Sequence, residues 1–176
     1  MSTDSMDKGT SYYRIHPLKF TMYLFLAVVL MLFGAFTSAY IVRRAEGNWE
    51  VFELPRVFEW SVYLVIVSSI FMQLAYFAAK RNYLTQLRIF LWLTLIMGIG
   101  FLFNQYNGWL AMVEQGVYYV GNPSGSFVYI ISAMHAAHVL GGVAFLVSSL
   151  YAAHRFQIHA NSLLKLNLCT TFWHFM

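Results

Sequence analysis

Apolar residues dominate four long stretches of this chain, and polar residues gather in the short segments between them. A bilayer core of about 30 Å takes roughly 20 helical residues at about 1.5 Å each. The four stretches reach that length: Phe20 to Val42, Val57 to Ala79, Ile89 to Val113 and Phe127 to Ala153. None contains a proline. Pro17, Pro55 and Pro123 each stand just before a span, where a missing N–H does least harm. A fifth apolar segment opens at Ser162, and its 15 residues to Met176 are fewer than a crossing requires. A helix stopping at mid-membrane leaves its last carbonyls unpaired in hydrocarbon. The expectation is therefore that the natural chain runs on past Met176, or that this sequence is truncated. The predicted fold is all-α, a polytopic transmembrane helix bundle of five spans, the last incomplete. It covers residues 18–176 behind a polar N-terminal tail, residues 1–17.

Composition sharpens this picture. Hydrophobic residues make up 60% of the 176 and charged residues only 10%, against about 25% charged in a soluble domain. Aromatic residues reach 19%, and their rings suit lipid-facing surfaces and the half-wet bilayer interfaces. A net charge of +4, dispersed over the connections, is too small to point to nucleic acid. Its distribution reads instead as topology. With the N-terminal side called inner, the inner segments hold eight positive residues: Lys8, Arg14, Lys19, Lys80, Arg81, Arg88, Arg155 and Lys165. The outer connections hold three, Arg43, Arg44 and Arg56, with Glu46, Glu50, Glu53 and Glu114. The bias predicts a cytoplasmic N-terminus, with Arg43-Arg44 running against it. The first span is followed by that Arg pair and not by a small-residue cleavage site, so it is read as a retained span. Cys169 is the single cysteine, which rules out an internal disulfide and reads as a small buried hydrophobe.

Candidate chemistry is sparse. A polar group in hydrocarbon is costly and asks for a partner or a task. Glu59 lies at the outer end of the second span, within reach of the headgroups, and no span holds Asp, Lys or Arg near its middle. An ion-coupled transporter carries such a group along its pathway, which argues against an autonomous transporter. The histidines are the remaining lead. His135 and His138 share one face of the fourth span, about 12 and 17 Å from its outer edge, and His174 lies about 18 Å from the inner start of the fifth. Three imidazoles at one depth could ligate copper or zinc, or make ordinary interhelical hydrogen bonds. His16, His154 and His159 fall in connections and read as interfacial side chains. Gly34, Gly98, Gly100, Gly141 and Gly142 lie within spans, where small residues let helices approach closely. An exchange such as Gly141→Leu is expected to weaken assembly of the complex by holding neighbouring helices apart.

Taken in order, the residues resemble subunit III of the heme-copper respiratory oxidases. The first span carries Met22, Leu24-Phe25, Phe33 and Ser38-Ala39-Tyr40 before Arg43. The second carries Ser68-Ser69 and Gln73-Leu74-Ala75, and the third Thr94, Gly98, Phe101, Gln105 and Trp109. The fourth is the most specific, with Asn122-Pro123, Gly125-Ser126-Phe127, Tyr129, His135, His138-Val139 and Gly141-Gly142. Phe172-Trp173-His174-Phe175 is similar to the start of that family's last helix. The resemblance runs from about Leu18 to Met176 and matches the short, five-helix form. Two departures stand out. Val29 occupies the place where many members carry a membrane-embedded glutamate, and no carboxylate lies near Gly108.

The resemblance implies an accessory subunit of a cytochrome c oxidase in a bacterial plasma membrane, part of an oxidoreductase complex that reduces oxygen and pumps protons. Hemes and copper would belong to partner subunits and none to this chain. Its partners would be oxidase subunit I above all, the other oxidase subunits and phospholipids, with no nucleic acid and with room for a larger respiratory supercomplex. Gln105, Trp109, His135, His138, Trp173 and His174 would then form an internal polar network that fixes helix packing or a lipid headgroup, with no catalytic residue among them. Alternatives of different chemistry are an accessory subunit of a quinol oxidase or nitric oxide reductase, and an independent membrane transporter.

Overall fold

A computed structural model describes residues 16–155 and 163–176. Lys8, Arg14, His159 and Ser162, which entered the charge count and the span reading, lie outside the described residues, as does nearly all of the tail. The described chain is helical throughout its ordered elements: α1 (Pro17–Ala45), α2 (Val57–Lys80), α3 (Leu84–Glu114), α4 (Pro123–His154) and α5 (Leu164–Phe175). All four apolar stretches of the sequence are helices. Each overruns its apolar stretch at one end or both, because 24 to 32 residues extend about 36 to 48 Å, beyond a hydrocarbon core of about 30 Å. Long exposed rows of Leu, Ile, Val and Phe coat the outside of the bundle. In water these would be untenable; in lipid they are the expected surface. The protein is a multi-pass membrane protein.

Local chemistry sets the helix ends. Pro17 and Pro123 are the first residues of α1 and α4, where the lost N–H was unpaired anyway. Asn122 caps α4, its Oδ1 accepting from the Ser124 N–H at 3.0 Å. The same side chain accepts from the Glu50 N–H and donates to the Asn48 carbonyl, so one residue caps a helix and holds the α1–α2 connection over it. Tyr40, Trp49 and Phe127 pack edge-on and tilted beneath that connection, at centroid distances of 4.9 to 6.4 Å. On the inner side, Asn82 takes a left-handed φ of 58° and the Tyr83 N–H reaches back to the Ala78 carbonyl at 2.9 Å. This tight turn makes α2 and α3 an antiparallel pair. At the outer end of α3, Gly116 at φ 78° plays the same part, with the Val117 N–H on the Met112 carbonyl.

The core sits in the inner half. Met72, Ala75, Ala78 and Ala79 of α2 face Leu87, Leu91 and Leu95 of α3, and Leu146, Leu150, Leu166, Cys169 and Trp173 close the same cluster from α4 and α5. The alanines let α2 and α3 approach closely, so this pair has the most extensive interface. α1 is the outlier. Only Leu26 and Val29 of its 29 residues are buried, and it packs on α4 and α5 but on neither α2 nor α3.

Candidate functional site

The six residues singled out in the sequence fall on three helices. α3 contributes Gln105 and Trp109, α4 contributes His135 and His138, and α5 contributes Trp173 and His174. Both tryptophans are anchored by one device. Trp109 Nε1–H donates to Ser132 Oγ at 3.0 Å, and the Ser132 hydroxyl donates back to the Tyr129 carbonyl of its own helix. Trp173 Nε1–H donates to Ser68 Oγ at 3.2 Å, and Ser68 donates back to the Val65 carbonyl. Each indole thus ties two helices together, and each serine is satisfied without a second partner. Burial of an indole N–H in lipid demands such an acceptor.

The histidines divide. His138 Nδ1 lies 2.6 Å from the Met134 carbonyl; because a carbonyl only accepts, the ring carries its proton there. His174 makes the equivalent bond to Thr170 at 2.9 Å and is exposed on the outer face of α5. His135 stands edge-on to Phe101 at 5.5 Å and to Phe33 at 6.4 Å. It shares with His138 a cavity of about 240 Å³ bounded by Val29, Leu30, Phe33, Phe172, Phe175 and Met176. The structure therefore brings two of the three imidazoles together and turns the third away. Among the described residues no group of three His, Cys, Asp or Glu side chains is placed to hold a metal. Gln105 is 4% exposed, and its Nε2 has no hydrogen-bond partner. Among the described hydrogen bonds, none joins one of the six residues to another; their bonds run to serines and main-chain carbonyls.

Relatives place this arrangement. No protein-family model matches the chain. It is 30% identical over 158 residues to a protein named probable cytochrome c oxidase subunit 3 from Nocardia farcinica, an alignment covering 87% of this chain and 78% of that protein. The chain belongs to the cytochrome c oxidase subunit 3 family. Cytochrome c oxidase subunit 3 of Corynebacterium diphtheriae is 28% identical over 161 residues, and that of Alkalihalophilus pseudofirmus 26% over 160, with 87–88% of this chain and 77–78% of each relative covered.

Within this subunit 3 chain the two departures noted in the sequence have structural settings. Val29 is 6% exposed and lines the cavity of His135 and His138. At Gly108 a Cβ would come to 3.0 Å from the Phe58 ring, so any side chain there requires that ring to shift. The glycines also separate. A Cβ at Gly98 would meet the Trp173 ring at 2.8 Å, and one at Gly142 would meet Phe172 and Met176 at 3.1 Å. Gly34, Gly100 and Gly141 have nothing within 4 Å. Gly141 is exposed beside a groove lined by Leu18, Met22 and Phe25 of α1 and Leu168 of α5, whereas its neighbour Gly142 is the close contact within the bundle.

Sequence reasoning missed Asn104. Its Nδ2 donates at 2.7 Å to both the Val57 carbonyl and Ser61 Oγ, the strongest polar tie between α2 and α3. The signal was present, since an Asn inside a span seeks an interhelical partner. Tyr129 was noted only as part of a motif, yet its hydroxyl donates to the Val117 carbonyl at 3.0 Å and holds the α3–α4 connection.

Proposed function

We propose that this chain is a non-catalytic accessory subunit of a proton-pumping cytochrome c oxidase, packing against the heme-bearing subunit I and stabilising the complex and its phospholipids. Kinship with proteins named cytochrome c oxidase subunit 3 is the observation that carries this reading. The character of the interior supports it. The described interhelical polar contacts within the spans are hydrogen bonds that fix helices, such as Trp173 to Ser68 and Asn104 to Ser61. Glu59 and Glu114 sit exposed at helix ends. The hemes and copper of the reaction would then reside in partner subunits, and this chain's residues would shape the membrane-facing support around them.

The membrane would be the bacterial plasma membrane with the N-terminus cytoplasmic. The excess of Lys and Arg on the N-terminal side supports that orientation. The wide exposed apolar face of α1 suits packing on a neighbouring subunit or lipid. Selective removal of this chain from the purified oxidase tests the reading. Heme absorbance should stay nearly unchanged and initial turnover should persist, while activity decays faster during sustained turnover. Loss of a heme band on removal would contradict it.

A further inference from the structure

A row of polar side chains faces outward from the bundle at the level of the membrane interior. On α5, Asn167, Thr170, Thr171 and His174 stand three and four residues apart, on one face of the helix, and all four are half-buried or exposed. The opposite face, with Leu166, Cys169, Phe172 and Trp173, is buried. Two bonds to α2 fix the depth of the row: Asn167 donates to the Tyr76 hydroxyl at 3.4 Å, and Trp173 donates to Ser68 Oγ at 3.2 Å. Numbers fall along α2 as they rise along α5, so the two helices run antiparallel. Ser68 is twelve residues from the inner end of the 24-residue α2, about 18 Å. His174, next to Trp173, is therefore exposed about midway across the bilayer. On α2, Ser69 and Gln73 share a face with Tyr76. Equal rises counted from the Tyr76–Asn167 bond put Gln73 level with Thr170 and Ser69 level with His174. Ser69 and Gln73 are half-buried, and neither takes part in a described hydrogen bond.

The chemistry of this seam is one-sided. Thr170 and Thr171 spend their hydroxyl protons on the Leu166 and Asn167 carbonyls, at 2.8 and 2.9 Å. His174 Nδ1 lies 2.9 Å from the Thr170 carbonyl, so the ring proton is there and Nε2 presents a bare lone pair. Outward of Asn167, α5 thus offers acceptors without donors, in hydrocarbon that holds no water to meet them. We propose that the α2–α5 seam is the face that docks a transmembrane helix of the heme-bearing subunit, one whose side chains bring O–H or N–H donors to His174 and Thr170. Gln73, which both donates and accepts, takes a partner of either kind. The proposal rests on the reading of this chain as an oxidase subunit. A lipid acyl chain has no donor, and a headgroup stays at the interface, about 15 Å from mid-bilayer. A second copy of this chain is no better matched. Two copies inserted alike pair about an axis along the membrane normal, so equal levels meet and the bare Nε2 of one His174 faces that of the other. Donor side chains on a partner helix satisfy the seam through interhelical hydrogen bonds.

The test uses the assembled oxidase in its own membrane. The photoreactive residue benzoylphenylalanine is placed singly at Gln73, at His174 and, as control, at Ile99 on the exposed face of α3. Irradiation should give adducts to the heme-bearing subunit from positions 73 and 174 and none from position 99. Gln73→Leu combined with His174→Leu should raise severalfold the fraction of this chain released from the complex by detergent. The isolated double variant should resist SDS as well as the parent or better, because polar groups have left the hydrocarbon. His174→Gln keeps an acceptor, and in place of His174→Leu it should restore most of the retention. Adducts to lipid alone, or to a second copy of this chain, would overturn the proposal, as would leucine variants retained as tightly as the parent. A chain that travels with no heme protein at all sinks the functional reading and this proposal with it. Retention with a heme protein but no adduct from positions 73 and 174 overturns this proposal alone.

Discussion

Replacing Gly98 by alanine probes the tightest helix contact in the bundle. The new Cβ would fall 2.8 Å from Cη2 and 3.3 Å from Cζ2 of Trp173, and 3.4 Å from Val143 Cγ2. An indole is rigid, so the ring must tilt as a whole. Only a small void of about 10 Å³ borders Gly98 and Trp173, enough for a shift of a few tenths of an ångström. Cζ2 and Nε1 are bonded to the same ring-fusion carbon, so the tilt also displaces Nε1, which sits 3.2 Å from Ser68 Oγ. Overpacking of this kind costs about 1–3 kcal/mol, and an interhelical hydrogen bond in a membrane is worth about 0.6 kcal/mol. Alanine recovers about 1 kcal/mol of helix propensity over glycine. The net expectation is a loss of about 1–2 kcal/mol. Unfolding by SDS in mixed micelles, followed by tryptophan fluorescence, measures it. Gly100→Ala is the matched control, since nothing lies within 4 Å of its Cβ, and should be neutral or stabilising. Trp173→Phe removes the ring atoms that collide, so the pair Gly98→Ala and Trp173→Phe should be non-additive by about 1 kcal/mol or more. Equal stability of the Gly98→Ala and Gly100→Ala chains, or strict additivity of the pair, would refute the reasoning.

Three further expectations follow from single contacts. Asn104→Leu breaks both 2.7 Å bonds between α3 and α2 and should cost about 1–2 kcal/mol in the same unfolding assay; Ser61→Ala should cost less, because the bond to the Val57 carbonyl survives. Asn122→Ala removes the α4 cap and both ties to the α1–α2 connection; a loss of about 1–2 kcal/mol should come with faster proteolysis between residues 46 and 56, and Asn122→Ser should restore stability more than protease resistance. Gly141→Leu should leave the isolated chain within about 0.5 kcal/mol of the parent, whereas Gly142→Leu should destabilise it through Phe172 and Met176; the reverse order would mean that α4 is rotated from the position described.

The spans were legible because length and apolar content alone decide what crosses a bilayer. Their ends were less so. Asn82 and Gly116, whose left-handed backbones close α2 and α3, lie outside the apolar runs that drew the boundaries. The polar contacts were legible as residues but not as pairs. Pairing depends on how each helix is rotated, and a helix that is apolar all round carries little pattern to fix that rotation. His135 and His138 could be placed together because they share one helix; His174 shares their depth but faces elsewhere, which no spacing within α5 reveals. Gly141 and Gly142 are the plainest case, adjacent in sequence with one against Phe172 and the other open. Asn104 carries no charge, yet an amide in a span needs an interhelical partner as an ionisable group does.

An accessory subunit must travel with a heme-bearing partner. Solubilise the membrane in mild detergent, capture this chain by a tag, and determine the heme content and subunit composition of what is retained. Near-stoichiometric recovery of an oxygen-reducing subunit carrying heme and copper is expected. Recovery of the chain alone, with no heme protein and with the membrane's oxidase left entirely in the unbound fraction, would contradict it.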